Sequence, residues 1–82
     1  MLRLLKSTVG NMLYDKRCEY DLSQEDMAEK CCISTRQYCD LENCKRLPRL
    51  DTFLKVAIIC ELDLNILIRD LLSKGYEVID RE

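Results

Sequence analysis

Two serines, Ser23 and Ser34, each stand three residues ahead of a side chain that completes a helix-start signal, Asp26 for the first and Gln37 for the second. A capping serine must itself be non-helical, so Ser34 ends whatever Ser23 begins. The interval therefore holds one short helix, about Gln24 to Cys31, and a tight corner. Past Ser34, Tyr38 and Leu41 fall on one face of a second short helix, about Thr35 to Asn43. Thr35, Arg36, Cys39, Asp40 and Asn43 share its opposite, polar face. Two such helices at a tight corner, the second with a polar outer face, have the dimensions that the major groove of duplex DNA accepts.

The rest of the chain reads as three more helices. Leu2, Leu5, Val9, Met12 and Leu13 give residues 2–18 an inward stripe, interrupted where Lys16 takes a position suited to a core residue. Lys45-Arg46-Leu47 forms a loop, since a residue ahead of proline is driven out of the helical region, and Pro48 is placed to open a fourth helix. Phe53, Leu54, Val56, Ala57 and Cys60 mark that helix; Phe53 is expected in the core with Tyr38. Asp63 is the expected N-cap of a fifth helix with Leu64, Leu67, Ile68, Leu71 and Leu72 inward, and Gly75 is its expected stop. The tail, residues 76–80, alternates enough for a short strand or an extended arm. The expectation is a single all-α domain of five helices over residues 1–82, with the two-helix motif at 23–43 and an arm at 75–82.

Charge is unevenly placed along the chain. The net charge is −2, yet residues 1–17 carry four basic side chains against one acid and residues 33–50 four against two. Residues 18–32 carry five acids against one lysine. Positive charge thus gathers on the first helix and around the third, where both are expected to face phosphates. The six cysteines do not read as a disulfide scaffold, because apolar residues recur at helical spacing with two glycines and one proline. Cys31 and Cys60 are expected in the core as small apolar residues. Without histidine or a Cys-x-x-Cys pair no metal site is expected. A thiol switch through Cys32, Cys39 or Cys44 stays an open alternative. No general base at neutral pH and no phosphate-cradling loop is present, so neither catalysis nor a cofactor is expected. No 18-residue apolar run and no secretory signal occurs, which points to a soluble, cytoplasmic protein with no membrane partner.

Five segments, taken in order, resemble the lambda-repressor-like helix-turn-helix domains of the xenobiotic-response-element type. They are Leu22-Ser-Gln-Glu-Asp-Met-Ala-Glu-Lys, Ile33-Ser, Leu41-Glu-Asn-x-Lys-Arg-x-Pro48, Thr52-Phe-Leu-Lys-Val-Ala57 and Leu62-x-Leu-x-x-Leu67. The resemblance covers about residues 9–70. It implies a five-helix domain that binds operator DNA, usually as a dimer, with its third helix in the major groove. By position, Gln24 would hold a phosphate and brace the reading helix, and Thr35, Arg36 and Asp40 would reach base edges. Ser34, Gln37 and Cys39 lie beside them, while Asn43, Lys45 and Arg46 match the loop that grips further phosphates.

This chain departs from the family where glycine is usual, carrying Asp21, Cys32, Cys44 and Glu61 instead. A side chain in the left-handed conformation costs about 1–2 kcal/mol per residue, so those corners are either strained or closed differently. Asp40 and Glu42, on or near the reading helix, are expected to repel phosphate. Arg36 and Asp40 also stand at ion-pair spacing, and Gln37 serves equally as the partner of Ser34. The expected partner is double-stranded DNA, bound by a homodimer joined through helix five and the arm, with Ile58 or Ile59 left exposed to contribute. The competing expectation is a protein-interaction module that keeps the fold without DNA.

Overall fold

A computed structural model of the chain describes residues 2–77. It contains five helices in the expected order: α1 (Leu2–Tyr20), α2 (Gln24–Lys30), α3 (Thr35–Glu42), α4 (Leu50–Ile59) and α5 (Leu64–Ser73). No strand occurs among the described residues. The expected arm extends past them, and of it Tyr76 packs against the core. α3 lies against both α1 and α2, while α1 also packs along α5. The core gathers Val9 and Leu13 from α1, Met27, Ala28 and Cys31 from α2, Tyr38 and Leu41 from α3, and Val56, Cys60, Leu67 and Leu71 from beyond. Tyr38, expected inside, is fully buried, and Phe53 packs at the margin of the same cluster.

Every helix ends in the same way. The N–H of the second residue past the cap bonds back to the carbonyl five residues earlier: Leu22 to Arg17, Ile33 to Ala28, Lys45 to Asp40, Leu62 to Ala57 and Tyr76 to Leu71, at 2.9–3.2 Å. This is the Schellman closure, which needs a left-handed residue just before that donor. Those residues are Asp21, Cys32, Cys44 and Glu61, with φ of 57°, 60°, 64° and 53°, and Gly75 at 92°. The four positions expected to be strained or differently closed are therefore left-handed without glycine. After three of them the following residue, Leu22, Ile33 or Leu62, sets an apolar side chain against the core, and Cys44 itself lies against the α1 backbone at Gly10.

The structure corrects several expectations. Leu2 points to solvent, 57% exposed, because it lies at the outer end of a helix whose buried stretch is centred on Thr8, Val9, Gly10 and Leu13. Buried Thr8 satisfies its hydroxyl by donating to the Leu4 carbonyl at 2.8 Å. Lys16 does not enter the core; it swings to Glu19 at 3.1 Å and lies 5.7 Å from the Tyr20 ring. Pro48 does not open α4, since Arg49 is still extended, with φ −63° and ψ 156°, and is the N-cap. α1 continues two residues past the expected end, and α2 and α3 each stop one residue short. On α5 only Leu67 and Leu71 are buried; Leu64, Ile68 and Leu72 look outward.

Gly10 is held by close approach. A Cβ there would fall 2.8 Å from the Glu42 carbonyl oxygen and 2.9 Å from that of Leu41, so the end of α3 sits directly on the α1 backbone. Gly10→Ala is expected to lower the unfolding free energy by about 1–3 kcal/mol despite alanine's better helix propensity. Glu61→Gly is expected to raise it by about 0.5–1 kcal/mol, as relief of the left-handed strain exceeds the added chain entropy. Urea denaturation of both variants checks the two signs.

Candidate nucleic-acid interface

The corner between α2 and α3 is built from the two serine caps. Ser23 Oγ accepts the Asp26 N–H at 3.1 Å and Ser34 Oγ accepts the Gln37 N–H at 3.0 Å. α3 then buries Tyr38, Leu41 and Glu42, which turns Thr35 and Arg36 fully outward. Ser34 and Asn43, at the two ends, are also exposed, while Gln37, Cys39 and Asp40 are half-buried along the flank. Lys45 and Arg46 stand in solvent just past the helix end. The structure thus sets nine of the ten sequence-derived residues on α3 or at its two ends, and the tenth, half-buried Gln24, at the start of α2.

What holds α3 in this orientation is a buried carboxylate. Glu42, 8% exposed, accepts from Arg17 Nε at 2.8 Å and Nη2 at 3.1 Å, from the Tyr38 hydroxyl at 2.6 Å and from Gln24 Nε2 at 3.0 Å. One side chain from each of α1, α2 and α3 meets on it. Arg17 Nη1 also donates to the Leu22 carbonyl at 3.0 Å, tying the α1–α2 turn to the same group. Gln24 in turn accepts from the Cys39 thiol at 3.3 Å, so it ties α2 to α3. Burial alone would push the Glu42 carboxyl up, but the hydrogen bonds from Arg17, Tyr38 and Gln24 together outweigh it and hold it below its ordinary value of 4.5. The Arg17 guanidinium is raised in return by its bond to Glu42.

The helix-turn-helix family model matches residues 13–67, from the second half of α1 into α5. The chain belongs to the lambda-repressor-like helix-turn-helix family. It is 39% identical over 59 residues to the ImmF control region 10 kDa protein of Bacillus phage phi105. That match takes in 72% of this chain and 66% of the phage protein, just under two-thirds of the relative's length. No solved structure matches the chain significantly.

Within this helix-turn-helix domain three charge expectations change. Glu42 does not face phosphate, because Tyr38 four residues earlier and Arg17 across the interface draw it inside. Arg17 is correspondingly absent from the positive face, spent on an internal pair. The sequence signal for this link was the spacing of Glu42 from Tyr38, which places both on the core side. Asp40 pairs with Arg46 at 3.5 Å and not with Arg36. Of the two acids near the reading face, only Asp40 remains outside, among Arg36, Lys45 and Arg46.

The cysteines divide by burial. Cys31 and Cys60 are both in the core with their sulfurs 3.4 Å apart, and burial pushes the Cys31 thiol up to about 12, which keeps it protonated and inert. Cys44 is wedged against the α1 backbone at Gly10. Cys32 is exposed and Cys39 half-buried.

Glu42→Gln is expected to cost about 3 kcal/mol at pH 7, because it leaves the part-buried Arg17 charge without its counter-ion. The carboxyl is lowered in the folded state, so its stabilisation is complete above pH 4.5 and fades as pH falls through the folded value. The stability gap between wild type and Glu42→Gln should therefore be widest near neutrality and narrow below pH 4.5, as followed by chemical denaturation across pH.

Proposed function

We propose that this domain is a sequence-specific, DNA-binding transcriptional regulator of the cytoplasm. α3 enters the major groove with Thr35 and Arg36 projecting from its reading side and Asp40 and Arg46 beside them, while Gln24, Asn43 and Lys45 secure the flanking phosphates. The observation that carries this reading is the bracing of α3 from α1, α2 and its own body through Glu42, which leaves Thr35 and Arg36 projecting from a rigid support. The similar phage protein is named for a control region, which agrees with a regulatory role.

The bound form is a homodimer joined through α5 and the C-terminal arm. Ile68 and Leu72 are 54% and 55% exposed on one stripe of α5, and Leu64 continues it. Ile58, 76% exposed at the end of α4, adds to the apolar surface, while Ile59 turns partly inward. Two such subunits set their reading helices about 34 Å apart, one turn of duplex. Ile68→Glu is expected to shift the protein to monomer in sedimentation velocity and to weaken operator binding in the same step.

The second reading, a protein-interaction module without DNA, is favoured by Asp40 on the outer face and by the net charge of −2. Selection from a random duplex pool, followed by salt titration on the selected site, separates the two. A DNA regulator yields an enriched motif and affinity that falls steeply with salt, and Lys45→Ala reduces that slope by about one unit. Absence of binding to any duplex at low salt supports the interaction module instead.

A further inference from the structure

Resting on the DNA-binding reading, one pair at the reading face has geometry that a simple phosphate clamp does not need. Arg46 leaves the loop after α3 and turns back, setting Nε 3.5 Å from Oδ2 of Asp40. The same Asp40 receives the N–H of Lys45 on its backbone carbonyl at 2.9 Å, so the start of the loop and the arginine side chain are both referenced to one residue. The Asp40 side chain is 20% exposed and that of Arg46 67%, which puts the guanidinium outside its carboxylate. Ser34, Arg36, Gln37, Asp40 and Arg46 line one shallow concavity on this face.

We propose that Asp40 reads no base itself and that it orients Arg46 as a base-reading side chain for guanine. With Nε facing Asp40 across 3.5 Å, the guanidinium keeps its two terminal nitrogens as a planar fork. That fork matches the two major-groove acceptors of guanine, O6 and N7. Electrostatics favours a base over a phosphate here. A carboxylate beside the guanidinium offsets part of its charge, which weakens attraction to an anionic phosphate. The hydrogen-bond donors remain available to a neutral base. Lys45, the neighbouring cation, has no such counter-ion among the described residues and is the phosphate contact of the loop. Asp40 is thus a positioning residue, and specificity at one base pair depends on both members of the pair.

The test is selection from a random duplex pool with wild type, Asp40→Asn, Arg46→Lys and Arg46→Ala, with salt slopes measured on the wild-type site. Thermal unfolding of each variant confirms that the fold is retained. The expected result is loss of preference, about tenfold or more, at the same G·C pair in Asp40→Asn and in Arg46→Lys, which keeps the charge but not the fork. Other positions of the motif and the salt slope of Arg46→Lys stay as in wild type. The proposal is overturned if Arg46→Lys retains the full motif and Arg46→Ala only reduces the salt slope, because Arg46 then contacts phosphate. It is equally overturned if Asp40→Asn alters a different base pair from Arg46→Lys, which would make Asp40 a reader in its own right. Failure of the wild-type protein to enrich any sequence would instead remove the DNA reading on which the pair depends.

Discussion

A single ionised carboxylate, taken out of water and surrounded by donors from three helices, is the constraint on which this architecture turns. Glu42 satisfies its oxygens with Arg17, Gln24 and Tyr38, and no one of those contacts is local except the last. A buried ion is costly unless its partners arrive with good geometry. The arrangement therefore rewards one mutual orientation of α1, α2 and α3 and penalises others, which apolar packing by itself does less sharply. Since α3 is the element whose outer face is free, fixing its rotation fixes what that face presents.

The backbone contributes a second kind of order. All five helices stop by the same closure, and four of them do so with a residue that has a Cβ. The strain is tolerated because Leu22, Ile33 and Leu62 each anchor an apolar side chain in the core after the turn, and Cys44 itself rests against α1 at Gly10. Each corner is thus held from outside the turn as well as within it. Close approach at Gly10 works together with this, since the end of α3, including left-handed Cys44, rests on the α1 backbone where no side chain intervenes.

The sequence made much of this legible where the information is confined to one or two helical turns. Ser23, Ser34 and Asp63 capped the helices they preceded, because a side-chain oxygen reaching an N–H two or three residues ahead needs nothing from the rest of the fold. The left-handed stops at Asp21, Cys32, Cys44 and Glu61 were locatable from the family resemblance. Core membership of Tyr38, Cys31 and Cys60 followed from apolar spacing. Less visible was the fate of charge. Glu42 and Arg17 were read as surface groups of opposite consequence for phosphate, although they neutralise each other inside.

Local hydrogen-bonding grammar was therefore settled by the chain alone: the side-chain caps that open α2, α3 and α5, and which side of α2 and α3 is apolar. Tertiary structure decided the pairings, Glu42 with Arg17 from 25 residues away and Asp40 with Arg46 in place of Arg36. The physical reason is one of range. A cap or stripe depends on atoms within a turn of each other, whose separation the helix itself dictates. Whether a charge is exposed, spent on an internal partner or bent toward a neighbour depends on distances between elements, and those exist only once the helices have packed.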